Sequence, residues 1–172
     1  VLFALRLGGG VTRNCNDWAH QAAAARILKV ETALADVLVA FDPEQLRRVM
    51  VNLLDNANRH ASTRADAMVV STGAAPSGQA ILSIWSDGDP LDQSIERNLF
   101  EPFFSSESRS SGLGLYICRE LCDGHGATIA YQRSRRFVRG QELDGNEFFI
   151  TFRPSRRESD GSRQSDKMPL EP

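Results

Sequence analysis

The chain has 172 residues, a formal net charge of −2 at pH 7 and a hydrophobic fraction of 41%, which together predict one globular domain with a real core. The nearly balanced charge gives no reason to expect a nucleic acid or an anionic membrane as a partner. No apolar run reaches the length of about 18 residues that a membrane-spanning helix needs. These properties exclude the strongly basic and the membrane-embedded classes of protein.

The first 13 residues have a short apolar start without a basic region before it, and we interpret residues 1–13 as a linker or the start of a fragment rather than as a signal peptide. A helix is predicted over the alanine-rich residues 14–25. Strands are predicted at 27–34 and 37–41, where apolar and β-branched residues alternate with polar ones. The folded part of the chain is therefore expected to begin near residue 14.

The cysteines are Cys15, Cys118 and Cys122, an odd number without the spacing of a disulfide framework. This favours a reducing compartment, and we expect a cytoplasmic domain. Cys118 and Cys122 stand four apart, with His125 just beyond. A metal site there is the weaker interpretation, because free cysteines are usually small buried residues of an amphipathic helix.

A long helix is predicted from Asp42 to His60. Asp42 is a good N-cap residue, and the proline after it suits the first helical position. On a helical wheel of roughly 100° per residue, Asn52, Asn56 and Arg59 fall together at one border of the apolar arc, with His60 at its inner edge. Amide oxygens suit a hard cation and a guanidinium suits a phosphate. An ordinary polar border of a surface helix is the alternative that stays open here. The apolar arc itself consists of Leu46, Val49, Met50, Leu53, Leu54 and Ala57.

The remaining patterns predict strands at 68–75, 80–86, 127–134 and 146–154 and helices at 92–100 and 112–122. The basic stretch at 133–139 is interpreted as a solvated hairpin loop, with contact to a partner domain as the alternative. Residues 155–172 have almost nothing to bury and are predicted to be disordered. Residues 14–154 would form an α+β fold, a two-layer α/β sandwich whose mixed, mostly antiparallel sheet carries its helices on one face.

The segment Ser110–Leu121 places Gly112 and Gly114 at the mouth of a predicted helix. Glycines let backbone N–H groups approach an anion, and a helix N-terminus adds partial positive charge. The segment is not a Walker motif, because no Gly-Lys-Ser/Thr follows, and it lacks the third glycine of a dinucleotide fingerprint. A glycine-rich turn that caps the helix is the alternative.

These motifs, in this order, resemble the ATP-binding catalytic domain of bacterial sensor histidine kinases, in the superfamily shared with gyrase, Hsp90 and MutL. NLLDNANRHAS is similar to the family's N box, SDGDP to its G1 box, LFEPFF to its F box and SGLGL to its G2 box. The run FEPFFSSESRSSGLGLYICREL is similar to the nitrogen- and pilus-regulation branch. The resemblance covers about residues 18–154 and implies a Bergerat-type ATP-binding fold with ATP and Mg²⁺ as cofactors.

The resemblance implies roles for the matching residues. Asn56 would ligate Mg²⁺, Arg59 would contact the phosphates, and His60 would lie against the nucleotide. Asn52 stands where the ATP-hydrolysing relatives carry a glutamate that activates water. Because an amide is no base near neutral pH, phosphoryl transfer to a protein side chain is expected rather than attack by water. Arg109 would reach the γ-phosphate or remain a solvated loop residue. Backbone N–H groups would hold the phosphates at Ser111, Gly112, Leu113, Gly114 and Leu115.

The G1 box departs from the family pattern Asp-x-Gly-x-Gly, whose aspartate accepts a hydrogen bond from the adenine amino group. Alignment of Gly88 with the first family glycine puts Ser86 in the aspartate position and replaces the second glycine by Pro90. Strand alternation favours this alignment, because Ser86 then shares the inward face with Ile84. We expect Ser86, or Asp87 after a local shift, to contact adenine, and ATP to bind weakly for this family.

None of the histidines, His20, His60 and His125, stands in the family's phosphoacceptor pattern of a histidine followed by an acid and soon a proline. The chain is therefore expected to be a monomeric catalytic domain that acts on the dimerisation and phosphoacceptor hairpin of the same parent kinase, with a response regulator downstream. Two alternatives stay open. The irregular G1 box favours a degenerate regulatory module with weak or no ATP binding, and an anti-sigma-factor-like serine kinase would share the fold.

Overall fold

Strands and helices of the chain are arranged in two layers. The computed structural model describes residues 3–33, 36–104 and 112–155. Its elements, in chain order, are β1 (Leu5–Arg6), α1 (Leu7–Gln21), β2 (Leu28–Glu31), β3 (Leu38–Val39), α2 (Pro43–His60), β4 (Met68–Ala74), β5 (Ala80–Asp87), α3 (Gln93–Arg97), α4 (Gly114–Gly124), β6 (Thr128–Val138) and β7 (Gln141–Thr151).

The main sheet has five strands in the order β2-β4-β5-β7-β6. β2 runs parallel to β4, and the other neighbours are antiparallel. β1 and β3 form a separate two-stranded sheet. The predicted mixed, mostly antiparallel sheet is confirmed, although β2 and β3 are shorter than predicted.

Helices α1, α2 and α4 cover one face of the sheet, and α2 packs against both of the others. Every second residue of the inner strands joins the core beneath them, such as Leu82 and Ile84 on β5 and Phe148 and Ile150 on β7. This alternation is what one buried face of a sheet requires. All six residues of the apolar arc predicted for α2 are buried. The two-layer architecture with helices on one face is confirmed.

The start of α2 follows from local chemistry. One carboxylate oxygen of Asp42 accepts hydrogen bonds from the backbone N–H groups of Glu44 at 2.8 Å and Gln45 at 3.2 Å. Pro43 occupies the first helical position, where its missing N–H costs nothing. The predicted start and end of this helix are confirmed.

The start of α1 differs from the prediction. The helix begins at Leu7, which is buried, rather than near residue 14. A residue distant in sequence provides a hydrogen-bond acceptor for the first turn of this helix. The N–H of Gly8 donates to Oδ1 of Asp36 at 2.8 Å. The interpretation of residues 1–13 as a linker is therefore wrong for residues 5–13, which pack into the domain. Three consecutive glycines lower the intrinsic helix propensity here, and tertiary packing overrides it.

Strands β6 and β7 are longer than predicted and continue through the basic stretch. Arg136 donates to the hydroxyl oxygens of Ser71 at 2.9 Å and Ser83 at 3.4 Å, and it lies 3.8 Å from a carboxylate oxygen of Glu31. The interpretation of this stretch as a solvated loop is wrong for Arg136. The outer part of the β6–β7 hairpin contacts the sheet face opposite the helices.

A second, smaller hydrophobic cluster lies on this opposite face. It is formed by Val69, Trp85 and Val138, and Trp85 is completely buried. The indole N–H of Trp85 donates to the backbone carbonyl of Ser134 on β6 at 3.2 Å. A methyl group at Gly145 would lie 2.4 Å from a ring carbon of Trp85. The close approach of β7 to Trp85 therefore requires glycine.

Within the described residues, no helix combines the length and the apolar character needed to cross a bilayer. The predicted disordered tail, 155–172, lies outside the described residues except for Ser155. The N–H of Ser155 donates to the backbone carbonyl of Leu38 at 3.5 Å, so this residue still belongs to the packed domain.

Candidate functional site

The polar border of α2 contains side chains that the fold does not use. Asn52 and Asn56 are half-buried, and Arg59 and His60 are exposed. Among the described residues, none of these four side chains has a hydrogen-bond or ion-pair partner. Asp55 differs, because it accepts a hydrogen bond from the indole N–H of a tryptophan on α1 at 2.9 Å. Asp55 thus helps to hold α1 and α2 together, whereas the other four side chains are available to a ligand.

The N-terminus of α4 faces this unused side. A methyl group at Gly114, the first residue of α4, would lie 3.5 Å from the amide oxygen of Asn52. The first turn of a helix has backbone N–H groups without helical partners and carries partial positive charge. Leu115 is half-buried and packs against the core, which anchors this turn. The structure therefore brings the two predicted motifs together.

Gly112 fixes how the chain enters α4. Its φ is +69°, and a methyl group there would lie 2.6 Å from the carbonyl carbon of Phe103. The N–H of Phe103 donates to the carbonyl of Gly112 at 3.0 Å. Only glycine fits here, because the backbone at residue 112 passes so close to the backbone of Phe103. Leu113 follows at the N-cap position, whereas the predicted site residues Arg109 and Ser111 lie outside the described residues.

Ser86 and Asp87 end β5 with different surroundings. Ser86 alternates in phase with Ile84 and faces the helix layer. Both carboxylate oxygens of Asp87 are engaged by Ser62, one by its backbone N–H at 2.7 Å and the other by its hydroxyl at 2.5 Å. The strand phase used to place Ser86 in the family's aspartate position is present in the structure.

The loop after Asp87 passes close to the end of α2. Gly88 has a φ of +147°, and a methyl group there would lie 3.0 Å from the backbone carbonyl oxygen of His60. The predicted site residues Gly88 and His60 are therefore adjacent. A larger residue in place of Gly88 would push this loop away from α2.

A network of polar side chains that the sequence did not predict lies under the loop at Gly88 and Asp89. Asn146 donates to the backbone carbonyl of Asp89 at 3.0 Å and accepts from the hydroxyl of Tyr131 at 2.5 Å. Arg133 donates to the carbonyl of Gly88 at 2.6 Å and to the Asn146 amide oxygen at 3.2 Å. Burial, aided by the charge of Glu96, raises the pKa of Tyr131, so its hydroxyl stays a donor. The sequence gives no signal for this network, because its members belong to different elements.

The buried cysteines are structural. Cys118 and Cys122 lie on α4, Cys15 lies on α1, and none has any exposed surface. Burial raises the pKa of each thiol to about 12, so none is a thiolate near neutral pH. The predicted burial of the two cysteines of α4 is confirmed.

The residues present fit a magnesium ion that is held mainly by a nucleotide. In the described part of the chain, no group of three or more histidine, cysteine, aspartate or glutamate side chains is placed to hold a metal. Asn56 offers a neutral amide oxygen without a competing partner. Magnesium commonly keeps several waters and binds few protein ligands together with substrate phosphates. The donor set suits that mode and not a cage built from protein ligands.

The arrangement has the chemistry of a nucleotide-binding domain, with amides and a guanidinium on one helix and the N-terminus of another opposite them. The chain belongs to the family described as "Histidine kinase-, DNA gyrase B-, and HSP90-like ATPase", whose model matches residues 41–157. It is an ATP-binding domain of the histidine kinase type, and the resemblance predicted from the sequence is confirmed.

Relatives and solved structures agree with this membership. The chain is 34% identical over 133 residues to the sensor protein kinase PilS of Pseudomonas aeruginosa, in a match that covers 76% of the chain but 24% of that protein. It therefore spans about a quarter of the length of this relative. The fold is similar to the nucleotide-free catalytic domain of histidine kinase ThkA, with a TM-score of 0.71, 21% identity and coverage of 90% of this chain and 96% of that one. The mycobacterial sensor histidine kinase MprB gives a TM-score of 0.68 at 21% identity, over 90% of this chain and 99% of that one.

Proposed function

We propose that this chain is the catalytic domain of a two-component sensor histidine kinase. It binds ATP with Mg²⁺ and transfers the γ-phosphoryl group to a histidine on the dimerisation hairpin of the parent protein. The observation that carries the proposal is the pair of unpartnered amides of Asn52 and Asn56 on α2, with the amide oxygen of Asn52 beside the first residue of α4. The fold makes no use of these polar groups, and a triphosphate and its cation could bind them there.

Each residue of this border has a separate task. Asn56 would hold Mg²⁺ through its amide oxygen, and the ion would neutralise charge on the phosphates. Arg59 is exposed and free to contact phosphate oxygens, and His60 at the helix end would lie against the nucleotide. The backbone N–H groups of Ser111, Gly112, Leu113, Gly114 and Leu115 would hold the phosphates. The Arg109 side chain would reach the γ-phosphate. Positioning and charge neutralisation supply most of the catalysis of phosphoryl transfer.

Asn52 favours transfer over hydrolysis. It stands next to the phosphate-binding turn, where a carboxylate would be able to take a proton from water. A neutral amide cannot act as this base near neutral pH. The domain should therefore keep ATP intact until an acceptor side chain arrives.

The adenine base would be contacted by Ser86 rather than by Asp87. The Asp87 carboxylate has both oxygens engaged by Ser62, whereas the Ser86 hydroxyl faces the helix layer. Gly88 brings the following loop close to α2, which would complete the wall of the base pocket.

The partners of the domain follow from the proposed reaction. The acceptor would be the dimerisation and phosphoacceptor hairpin of the parent kinase, and a response regulator would receive the phosphoryl group from that hairpin. The domain would act as a monomer in the cytoplasm, whether or not the parent kinase is anchored in a membrane. Neither nucleic acid nor a membrane surface is expected to bind it, because the net charge is −2.

Phosphoryl transfer to a supplied hairpin tests this function. The chain is incubated with γ-labelled ATP, magnesium and the purified hairpin of the parent kinase. Acid-labile label is expected on the hairpin, and a hairpin whose acceptor histidine is replaced by alanine should remain unlabelled. The chain alone should remain unlabelled too. Label on His20 or His125, or steady hydrolysis of ATP without an acceptor, would contradict the proposal.

A further inference from the structure

The base end of the site contains a polar side chain that the fold leaves unused. Ser86 is 3% exposed, and its hydroxyl has no hydrogen-bond partner among the described residues. In the same residues, the fully buried side-chain atom without a partner is Nε of Arg136 on the opposite face. The Ser86 hydroxyl is therefore not sealed from solvent, and it is available to a ligand.

Other polar groups around Ser86 are already engaged. Asp87 uses both carboxylate oxygens on Ser62. Asn146, which pairs with Ser86 on β7, has both its amide oxygen and its NH₂ group in the network beneath the loop. Met68, the partner of Ser86 on β4, is apolar. None of these neighbours presents a free, negatively charged acceptor to a base.

A hydroxyl and a carboxylate form different hydrogen bonds with a purine base. A carboxylate only accepts hydrogen bonds, so it favours the exocyclic amino group of adenine and repels the O6 oxygen of guanine. A serine hydroxyl donates or accepts as it rotates. It can accept from the adenine amino group or donate to guanine O6. A site with serine therefore loses the means by which a carboxylate rejects guanine.

We propose that this domain accepts guanosine triphosphate as well as adenosine triphosphate, and that Ser86 is the residue responsible for this relaxed choice of base. The inference rests on the proposed function, because it concerns the base bound in the same nucleotide site. The dissociation constants of the two nucleotides should lie within about tenfold of each other, because neither purine meets a charged acceptor.

Dissociation constants for ATP and GTP, measured by calorimetry with Mg²⁺, test this proposal on the wild-type chain and three variants. Ser86→Asp should shift the ratio toward ATP by a factor on the order of ten or more. Ser86→Ala should weaken both nucleotides by a similar factor and leave their ratio unchanged. Ser77→Asp, on the exposed turn between β4 and β5, makes the same chemical change away from the site and should alter neither constant.

Three outcomes would overturn the inference. Wild-type binding of ATP about a hundredfold tighter than GTP would overturn it and leave the proposed function intact. An unchanged ratio in Ser86→Asp, with circular dichroism showing a folded chain, would overturn the assignment to Ser86. Failure of the wild-type chain to bind either nucleotide would overturn the inference and the proposed function together.

Discussion

The two faces of the sheet differ in whether their polar side chains have hydrogen-bond partners within the fold. Along β5, Ile84 and Ser86 face the helices, whereas Trp85 and Asp87 face the other side. On the helix face, the Ser86 hydroxyl and the amides of α2 have no described partners. On the opposite face, Asp87 is bonded to Ser62, and Arg136 is bonded to serines of β4 and β5, although its buried Nε has no described partner.

This difference between the two faces predicts which substitutions change activity and which change stability. A polar group that is sealed from water without a partner costs about 1–3 kcal/mol, whereas the amides of α2 are half-buried, still reach solvent and are available for a ligand-binding role. The opposite face has no such role, and its serines and Asp87 are paired within the fold. Substitutions on the helix-face border should therefore change activity at little cost to stability, and substitutions on the opposite face should do the reverse.

The largest effect is expected for Asn56→Ala. Loss of the proposed magnesium ligand should reduce phosphoryl transfer to the supplied hairpin by a factor on the order of 10²–10³, with little change in melting temperature, because Asn56 has no described partner in the fold. The matched control is Asn58→Ala, an exposed asparagine two residues along the same helix, which should transfer at the wild-type rate. A large drop in stability of the Asn56 variant would break the separation of the two faces.

Gly145→Ala should give the largest loss of stability. The added methyl group would lie 2.4 Å from the Ser86 carbonyl oxygen and from Trp85, so β7 must move away from β5, at a cost of about 3 kcal/mol. Gly73→Ala on β4 is the control, because nothing lies within 4 Å of its added methyl group. Urea unfolding measures both, and the control should be neutral or gain up to about 1 kcal/mol. Equal stability of the two variants would show that the close approach is absent.

Arg136→Met tests the contact of the hairpin with the opposite face. The variant keeps much of the side-chain volume but leaves Ser71 and Ser83 without their donor, and a loss of about 1–2 kcal/mol is expected in urea unfolding. Arg135→Met is the control, since Arg135 is exposed and its ion pairs lie at the surface. Such exposed pairs are screened by solvent and contribute little to stability. An Arg136 variant no less stable than the control would mean that the hairpin does not hold this face.

The last effect appears only at alkaline pH and is absent near neutral pH. Burial raises the pKa of each thiol from 9.0 to about 12, so the unfolded chain releases these protons at lower pH than the folded chain. Their contribution to stability is complete below pH 9 and is lost as the pH rises toward 12. Cys122→Ala should therefore lessen the decline of the unfolding free energy above pH 9 by about 1.4 kcal/mol per pH unit. If the unfolding free energy falls with pH equally steeply in both proteins, the Cys122 thiol is not shielded from solvent in the folded chain.

Local chemistry explains which parts of the fold and site were predictable. The cap at Asp42 and the wheel of α2 are encoded within one segment, so both ends of the helix and its polar border could be predicted. The phase of Ser86 followed from strand alternation. The start of α1 depends on Asp36, a residue 28 positions away from Gly8, and the contacts of Arg136 depend on the folding back of a hairpin. The pattern of apolar and polar residues within one segment does not predict contacts with residues that are distant in sequence.

The position of β7 has a consequence for how the domain is made. It is the last strand in the described part of the chain, yet it lies inside the sheet, between β5 and β6. During synthesis, β5 lacks this neighbour until β7 has left the ribosome. Because contacts between distant segments form late, the sheet should be completed only after translation of residues 141–151. A message truncated before that point would yield a chain with an open strand edge, prone to association rather than partly active.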